Sequence, residues 1–431
     1  DRSNHLKEDA RMVAAVSSSR RDIQAFHPFL KLNRLLDGIA PGPSPAPDGA
    51  PVALQVGEPQ NDPPALIDRA LAGATGWQKY PPPRGSEAFR RACTDWLARR
   101  YPSAAGLIGP GRAIDPDRQP LPLPGTREGL FFAALSSVGG GRDVVLLPNP
   151  FYHVYAGAAL AAGATPVFVP ATAQTGFMPD YASLDAATLQ RTALAFLNSP
   201  SNPQGAVAGP DKLAAAIRTA RAHGFVLALD ECYAEIYDAA PPTGALEVAA
   251  DLAADAGGGD LSQLLIFHSL SKRSSAAGLR CGFALGDDRL IDALDATLRV
   301  GGAGVPLPVL GAGAALWQDD AHVEANRARY RANFDAADRA LAHTGTQVRP
   351  EAGFFLWLDV GDGEAAAKRL WREAGLRVLP GAYMGVPDAD GNNPGAPYIR
   401  VALVYEPEAT EAALKRLGEV IWGAAPAARA S

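Results

Sequence analysis

From residue 144 onward, short apolar runs alternate with segments of helical periodicity, and this alternation narrows the possible folds more than any other feature. Short runs rich in β-branched residues and leucine predict strands, and the segments between them predict crossover helices. Such an order is typical of a parallel sheet covered by helices. The predicted strands are residues 144–147 (VVLL), 166–169 (PVFV), 194–197 (LAFL), 225–229 (FVLAL), 264–267 (LLIF) and 282–285 (GFAL).

The carboxyl-terminal part has another pattern, which predicts a second, smaller α+β domain. Its predicted elements are a charged helix over residues 322–343, the strand FFLWLDV, a helix over 364–373, RVLP, the strand YIRVALV and a helix over 409–422. Proline- and glycine-rich stretches cannot hold regular structure, so we predict loops there. These stretches are residues 38–51, 238–260 and 386–397.

Charge and cysteine content exclude some classes of protein. The net charge of -6 and a pI near 5.7 disfavour nucleic-acid binding, which needs clustered Lys and Arg. Cys93, Cys232 and Cys281 lie far apart, so we expect no disulfide framework and no thiolate zinc or other metal site. The charged amino terminus has no apolar signal region, which favours a cytoplasmic location without membrane contact. Residues before Met12 are interpreted as a tag or extension.

Two polar residues directly follow predicted buried strands. Asp230 ends FVLALD, and the carboxyl ends of strands are where open α/β sheets place their ligands. Lys272 follows LLIFHSLS, and a lysine near apolar or cationic groups can supply the neutral amine of Schiff-base chemistry. Taken alone, the aspartate is better explained as a turn cap and the lysine as a solvated surface charge.

Two further segments have ordinary explanations when each is taken alone. NSPSNPQG places Asn202 before a proline and a glycine, which together suit a turn. PGTREGLFFAALSSV predicts a glycine-containing turn that opens a helix, with Thr126 and Glu128 in its first turn. Free N–H groups at a helix start attract anions, but a simple helix cap also explains the segment.

In this order the four segments resemble the class I/II aminotransferases among the fold-type I pyridoxal-phosphate (PLP) enzymes. The resemblance rests on N-P-x-G, D-x-x-Y, S-x-S-K and a later arginine, and it extends from Phe26 to Trp422. It implies an α/β fold, in which a mostly parallel seven-stranded sheet lies between helices beside a smaller α+β domain. The implied division is an extension over 1–25, a large PLP-binding domain over 81–309, and a small domain with an amino-terminal arm over 26–80 and 310–431.

The resemblance also implies roles for individual residues. Lys272 would form the Schiff base and carry the proton, while Asp230 would keep the pyridine nitrogen protonated. Tyr233 and Asn202 would bind the ring hydroxyl, and Tyr152 would stack on the ring. The residues implied at the cofactor phosphate are Gly125, Thr126, Arg127, Ser269, Ser271 and Arg280.

Three more positions concern the substrate and a neighbouring subunit. Arg400 would grip the substrate α-carboxylate, helped by Asn202 and the backbone near Gly57. Tyr80 would reach the phosphate in a second subunit, which implies a homodimer with shared active sites. Without the resemblance, Arg400 is also explained as a strand-edge surface arginine, although its apolar neighbours in sequence call for a partner.

Further segments resemble the N-succinyldiaminopimelate aminotransferases of lysine biosynthesis. They are HPFLKLNRLL, VGEPQNDPP, YPPPRGSEAFRRA and SLSKRSSAAGLRCGF, whereas VGGAGVPLPV at residues 300–309 departs from that pattern. We therefore expect glutamate and 2-oxoglutarate as one substrate pair, and N-succinyl-diaminopimelate and its 2-oxo acid as the other. Arg84, Lys31 and Arg34 are the candidate partners for a distal carboxylate.

Other activities remain open at this stage. An aspartate- or alanine-type aminotransferase or a PLP-dependent C–S lyase would use the same Lys, Asp, Tyr and Asn. Ser269 to Lys272 also forms S-x-x-K, the acylating motif of penicillin-binding proteins, but the sequence has no K-T-G segment. A PLP-fold regulator bound to DNA would need a helix-turn-helix domain and a basic surface.

Overall fold

The structure is a computed structural model, and it describes residues 26–256, 261–302, 304–346 and 348–423. A seven-stranded sheet lies at its centre, in the order β2-β8-β7-β6-β5-β3-β4. Its strands are β2 (Leu121–Leu123), β3 (Val144–Asn149), β4 (Thr165–Pro170), β5 (Thr192–Asn198), β6 (Val226–Asp230), β7 (Leu264–Ser269) and β8 (Gly282–Gly286).

The direction of these strands confirms the predicted α/β fold with a mostly parallel sheet. β8 runs antiparallel to both of its neighbours, and the other pairs in this sheet are parallel. All six strands predicted from apolar runs are present. The seventh strand, β2, was not predicted because its sequence, LPL, is short and contains a proline.

Helices cover the sheet and continue into the carboxyl-terminal part. Their starts follow local rules: Ser86 caps α3 by accepting a hydrogen bond from the N–H of Phe89, and Pro210 opens α7. The helices are α1 (Pro28–Leu36), α2 (Leu66–Ala72), α3 (Glu87–Arg100), α4 (Thr126–Ser137), α5 (His153–Ala161), α6 (Ala186–Arg191), α7 (Pro210–His223), α8 (Ala245–Ala256), α9 (Leu270–Arg273), α10 (Asp288–Gly301), α11 (Leu307–Gln318), α12 (Ala321–Leu341), α13 (Gly363–Ala374) and α14 (Pro407–Trp422).

One predicted loop is wrong. Residues 238–260 were expected to be irregular, yet α8 occupies Ala245–Ala256. The flanking prolines and glycines obscured a stretch composed mainly of Ala and Leu, both strong helix formers. Ala245, Leu246, Ala249 and Ala253 recur at helical spacing and are buried.

A second, antiparallel sheet of three strands has its own hydrophobic core. It contains β11 (Leu379–Pro380), β12 (Tyr398–Ala402) and β9 (Phe355–Asp359), in that order. A two-stranded parallel sheet joins β1 (Val52–Ala53) to β10 (Leu376–Arg377). The large-sheet core also includes Ile67 and Leu310, and the domain limits at residues 80 and 310 stay a prediction.

The fold gathers polar residues at one edge of the large sheet. Parallel β5, β6 and β7 end at Asn198, Asp230 and Ser269, and α9 with Lys272 follows immediately. Open α/β sheets bind ligands outside the carboxyl ends of their strands. No helix in the described part of the chain is long and apolar enough to cross a membrane.

Candidate active site

A cleft of about 460 Å³ lies at this edge of the large sheet, beside the second sheet. It brings together every residue predicted for the cofactor and for the substrate α-carboxylate, except Gly125 and Tyr80. The predicted residues that line it are Gly57, Thr126, Arg127, Tyr152, Asn202, Asp230, Tyr233, Ser269, Ser271, Lys272, Arg280 and Arg400.

Asp230 is a buried carboxylate on the floor of the cleft, with 4% of its surface exposed. The hydroxyl of Tyr155 donates to its Oδ2 at 2.7 Å, and the N–H of Cys232 donates to its Oδ1 at 3.3 Å. Burial raises the pKa of Asp230, while these hydrogen bonds oppose the rise. The carboxylate has no cationic partner within the described residues, so a ligand cation such as a pyridinium would complete its surroundings.

Tyr155, whose hydroxyl donates to Asp230, was not among the residues predicted from the sequence. Tyr155 is fully buried and stacks on Phe196 with ring centroids 4.5 Å apart. It lies three residues after Tyr152 in NPFYHVY, so both side chains fall on one side of α5. That i, i+3 spacing at a helix start is the signal that could have identified it.

Lys272 has the properties of an activated amine. Its Nζ donates to the backbone oxygen of Gly57 at 2.5 Å and lies 5.4 Å from the ring centroid of Phe354. Burial is the main cause that lowers the pKa of Lys272 to about 8, and the nearby Arg400 also lowers it. A substantial fraction of this amine is therefore neutral near physiological pH and can attack a carbonyl.

The start of α4 offers an anion site at the other side of the cleft. Gly125 is its N-cap, with φ of +95° and no side-chain cap, so the first N–H groups of the helix lack a side-chain acceptor there. A Cβ on Gly125 would lie 2.1 Å from Nη2 of Arg280, which would have to move, and the φ of +95° itself favours glycine at this position. Arg280 in turn donates to Glu128 at 3.0 Å.

Hydroxyl groups complete this end of the cleft. Thr126 Oγ1 lies 2.9 Å from the sulfur of Cys232, and Ser269 Oγ accepts from the N–H of Ser271 at 3.1 Å. Together with Arg280 and the helix start, these groups match the donors that a phosphate dianion needs.

Arg400 is a buried guanidinium with 4% of its surface exposed. Its Nη1 donates to Oδ1 of Asn202 at 2.7 Å and its Nη2 to the backbone oxygen of Gln55 at 2.6 Å. The guanidinium lies 4.2 Å from the ring centroid of Phe355, and its Nε has no partner in the described chain. Burial lowers the pKa of Arg400 to about 10. Such a charge without a carboxylate partner is a ready site for a ligand anion.

The remaining tyrosines lie in different surroundings. The hydroxyl of Tyr152 accepts from Nε of Arg127 at 3.1 Å, and its ring faces the cleft. Tyr233 is buried edge-on against Phe354. Tyr80 is fully exposed, and its expected role in a second subunit stays a prediction.

The three candidates for a distal carboxylate lie outside the residues that line the cleft. Arg84 forms ion pairs with Asp292 and Asp295, so its charge is already compensated. Nζ of Lys31 lies over the ring of Tyr383 at 5.9 Å, and Arg34 is exposed on α1. Their role at a distal carboxylate of the substrate therefore stays a prediction.

The cleft thus combines a lysine with a lowered pKa, a buried carboxylate, an anion site at a helix start and an unpaired arginine. Residues 51–417 match the family model "Aminotransferase class I and II". The chain belongs to this family of PLP-dependent enzymes. Bound PLP supplies an electron sink for charge that develops at the substrate Cα. The side chains described above fit it: Lys272 would hold its carbonyl carbon, Asp230 would lie at the ring nitrogen, and the start of α4 with the nearby hydroxyls would bind the phosphate.

Similar proteins carry out several transaminations. The 4-dedimethylamino-4-oxo-anhydrotetracycline transaminase of Streptomyces rimosus is 35% identical over 86% of this chain and 94% of its own length. An LL-diaminopimelate aminotransferase of Desulforudis audaxviator is 34% identical over 79% of this chain and 81% of its own. The structure of a probable N-succinyldiaminopimelate aminotransferase from Thermus thermophilus has 25% identity and a TM-score of 0.75, covering 91% of this chain and 99% of that chain.

Proposed function

We propose that this aminotransferase moves an amino group between glutamate and N-succinyl-2-amino-6-ketopimelate, forming 2-oxoglutarate and N-succinyl-diaminopimelate. The proposal places the chain in lysine biosynthesis. The resemblance of SLSKRSSAAGLRCGF and HPFLKLNRLL to that family supports it, as does the likeness to the Thermus structure.

The observation that carries the proposal is a second available cation in the cleft. Of the basic side chains that line it, Lys272 would hold the cofactor, Arg280 is paired with a carboxylate, and burial lowers the pKa of His153 to about 4. Arg400 would bind the α-carboxylate common to both substrates. Arg127 is exposed, bonds Tyr152 through Nε, and forms no ion pair within the described residues. We assign it to a second carboxylate, which both glutamate and the succinylated substrate carry, rather than to the cofactor phosphate that the resemblance implies for it.

A second candidate substrate is LL-diaminopimelate itself, and Glu58 favours it. Glu58 is an exposed carboxylate at the cleft and forms no ion pair within the described part of the chain. It could bind the distal ammonium of free diaminopimelate. Succinylation converts that ammonium into a neutral amide and adds a carboxylate, so Glu58 would then disfavour the substrate.

The experiment compares kcat/KM for N-succinyl-LL-diaminopimelate, LL-diaminopimelate, aspartate and alanine, each with 2-oxoglutarate at one pH, and measures pyruvate release from cysteine conjugates. Arg127→Gln should weaken the succinylated substrate about 10- to 100-fold relative to alanine, since one exposed or half-exposed charge pair is lost. Glu58→Gln is the matched variant. A preference for free LL-diaminopimelate that Glu58→Gln abolishes would establish the second candidate instead. A preference for aspartate or alanine, or lyase activity, would refute both.

The same proposal includes a homodimer in which Tyr80 completes the site of the other subunit. Tyr80 is fully exposed on the described surface, which leaves its ring free to contact a second subunit. Sedimentation at assay concentration tests it, and an active monomer would refute it.

A further inference from the structure

The turn that carries Lys272 has few bonds of its own. Helix α9 comprises four residues, Leu270–Arg273, and so short a helix leaves most of its carbonyl groups without partners inside the helix. Ser275, just after it, has φ of +46°, a left-handed conformation that a residue with a side chain rarely adopts. Contacts from elsewhere must hold this turn in place.

Asn326 of α12 supplies such contacts. Its Nδ2 donates to the backbone oxygens of Lys272 at 3.0 Å and of Arg273 at 3.1 Å. Its Oδ1 accepts from the hydroxyl of Ser275 at 3.1 Å. One amide therefore binds the cofactor lysine's own backbone, the next residue and the strained position that follows.

The neighbouring turn of α12 holds the same segment. Nε2 of His322 lies 2.8 Å from the hydroxyl of Ser274, and Nδ1 of His322 lies 2.6 Å from Asp319. Because Asp319 fixes the imidazole and the imidazole fixes Ser274, the segment after Lys272 is held along its length. Asn326 makes the contact nearest to the reacting amine.

We infer that Asn326 is a positioning residue, which fixes the turn of Lys272 so that the amine stays against Gly57 at the bottom of the cleft. The inference rests on the proposed role of Lys272. Asn326 does not touch the Lys272 amine itself and acts through the backbone. If the turn relaxes, the amine gains water and loses the orientation that attack on a carbonyl requires.

Helix α12 also provides a matched control. Asn333, seven residues further along, donates its Nδ2 to the backbone oxygens of Leu403 and Tyr405, both at 3.0 Å. It is the same residue type on the same helix and also donates to two backbone carbonyls, but those carbonyls belong to a different segment. Substitution of either asparagine would weaken the anchoring of α12. A change in the properties of the Lys272 amine should follow only from substitution of Asn326.

The experiment uses Asn326→Leu, Asn326→Gln and Asn333→Leu in the full chain. The first measurement is made on the apoenzyme: the acylation rate of Lys272 as a function of pH, followed by peptide mass mapping. The pH midpoint of this acylation profile should lie near the Lys272 pKa of about 8 in the native enzyme. Asn326→Leu should raise that midpoint by about one pH unit or more, toward the pKa of a solvent-exposed lysine. In the loaded enzyme, kcat should fall about 10-fold or more while KM changes less than about 3-fold. Asn326→Gln, which keeps the amide, should recover much of both.

Asn333→Leu should lower the thermal stability and leave the Lys272 midpoint unchanged. If Asn326→Leu does not fold, Asn326→Ala removes the same amide with less bulk and takes its place. A folded Asn326 variant with the native midpoint and native kcat would overturn the inference, as would an equal midpoint shift in Asn333→Leu. Borohydride reduction of the native enzyme, with mapping of the bound PLP, tests the role of Lys272 separately, so failure of that role and failure of the inference are distinguishable.

Discussion

Replacing Arg400 by glutamine should lower activity without lowering the stability of the ligand-free enzyme. Arg400 is buried, donates to Asn202 and to the Gln55 backbone, and has no carboxylate partner in the described chain. A substrate α-carboxylate would be its first anionic partner. The charge therefore destabilises the ligand-free enzyme but stabilises its complex with substrate. Its removal should leave the ligand-free enzyme as stable or more stable, and it should weaken the complex.

Both magnitudes follow from the surroundings of Arg400. Each pH unit by which its pKa is lowered corresponds to about 1.4 kcal/mol, so burial of this charge costs about 3 kcal/mol. Loss of its two hydrogen bonds destabilises the ligand-free variant by about 1 to 3 kcal/mol, which opposes the gain from removing the buried charge. Glutamine can replace one of these hydrogen bonds. For the complex, loss of a buried charged pair of about 3 to 4 kcal/mol predicts a fall in kcat/KM of roughly 10² to 10³.

The assay measures kcat/KM for each substrate together with the melting temperature of the apoenzyme. The melting temperature of Arg400→Gln should be unchanged or higher. A dicarboxylate substrate analogue at about 100 times its Kd should stabilise the native enzyme by about 2.7 kcal/mol and the variant by far less. Arg400→Lys is the control, since it keeps a charge but loses the planar fork. A variant that melts well below the native enzyme, or that keeps kcat/KM within about 10-fold, would refute the reasoning.

Four further predictions concern the cofactor site. Lys272→Ala should lose transamination by several orders of magnitude, and borohydride should no longer fix PLP to the protein; a reduced adduct mapped to another lysine contradicts this. Apoenzyme stability should rise from about pH 8 to about 10.5, because folded Lys272 loses its proton before the unfolded lysine does; denaturation of Lys272→Ala should lack that rise. Asp230→Ala should lose most activity, whereas Tyr155→Phe should lose less, because it removes only one hydrogen-bond donor to Asp230. A near-normal kcat in Asp230→Ala would contradict the role of Asp230 at the ring nitrogen. Mixed dimers of Tyr80→Phe and Lys272→Ala chains should contain one intact active site, which combines Lys272 of the first chain with Tyr80 of the second. Activity no higher than the summed activity of the two variant homodimers would exclude a shared site.

The sequence predicts those parts of the site whose signal is local. Lys272 and Asp230 each follow an apolar run that ends abruptly in a polar residue, so their position at strand ends was accessible before the structure. Arg84 has ion-pair partners that no local pattern could predict. Its partner Asp292 is 208 residues away in sequence, so no local pattern shows that its charge is compensated. Strand β2 and helix α8 were missed because proline and glycine in or beside them mask weak local patterns.

Long-range positioning contacts were missed for the same reason, and α12 shows what signal they leave. Its residues Arg327 and Asn333 are polar yet buried, a combination that demands partners. Arg327 binds Glu235 in the turn after β6 at 2.7 Å, Asn333 binds the backbone after β12, and Asn326 binds the turn of Lys272. A single helix therefore contacts the three segments that carry the proposed ring, carboxylate and amine groups. Polar residues spaced at six- and seven-residue intervals on the buried side of a long helix indicate a positioning role, although the sequence alone does not identify the segments that they hold.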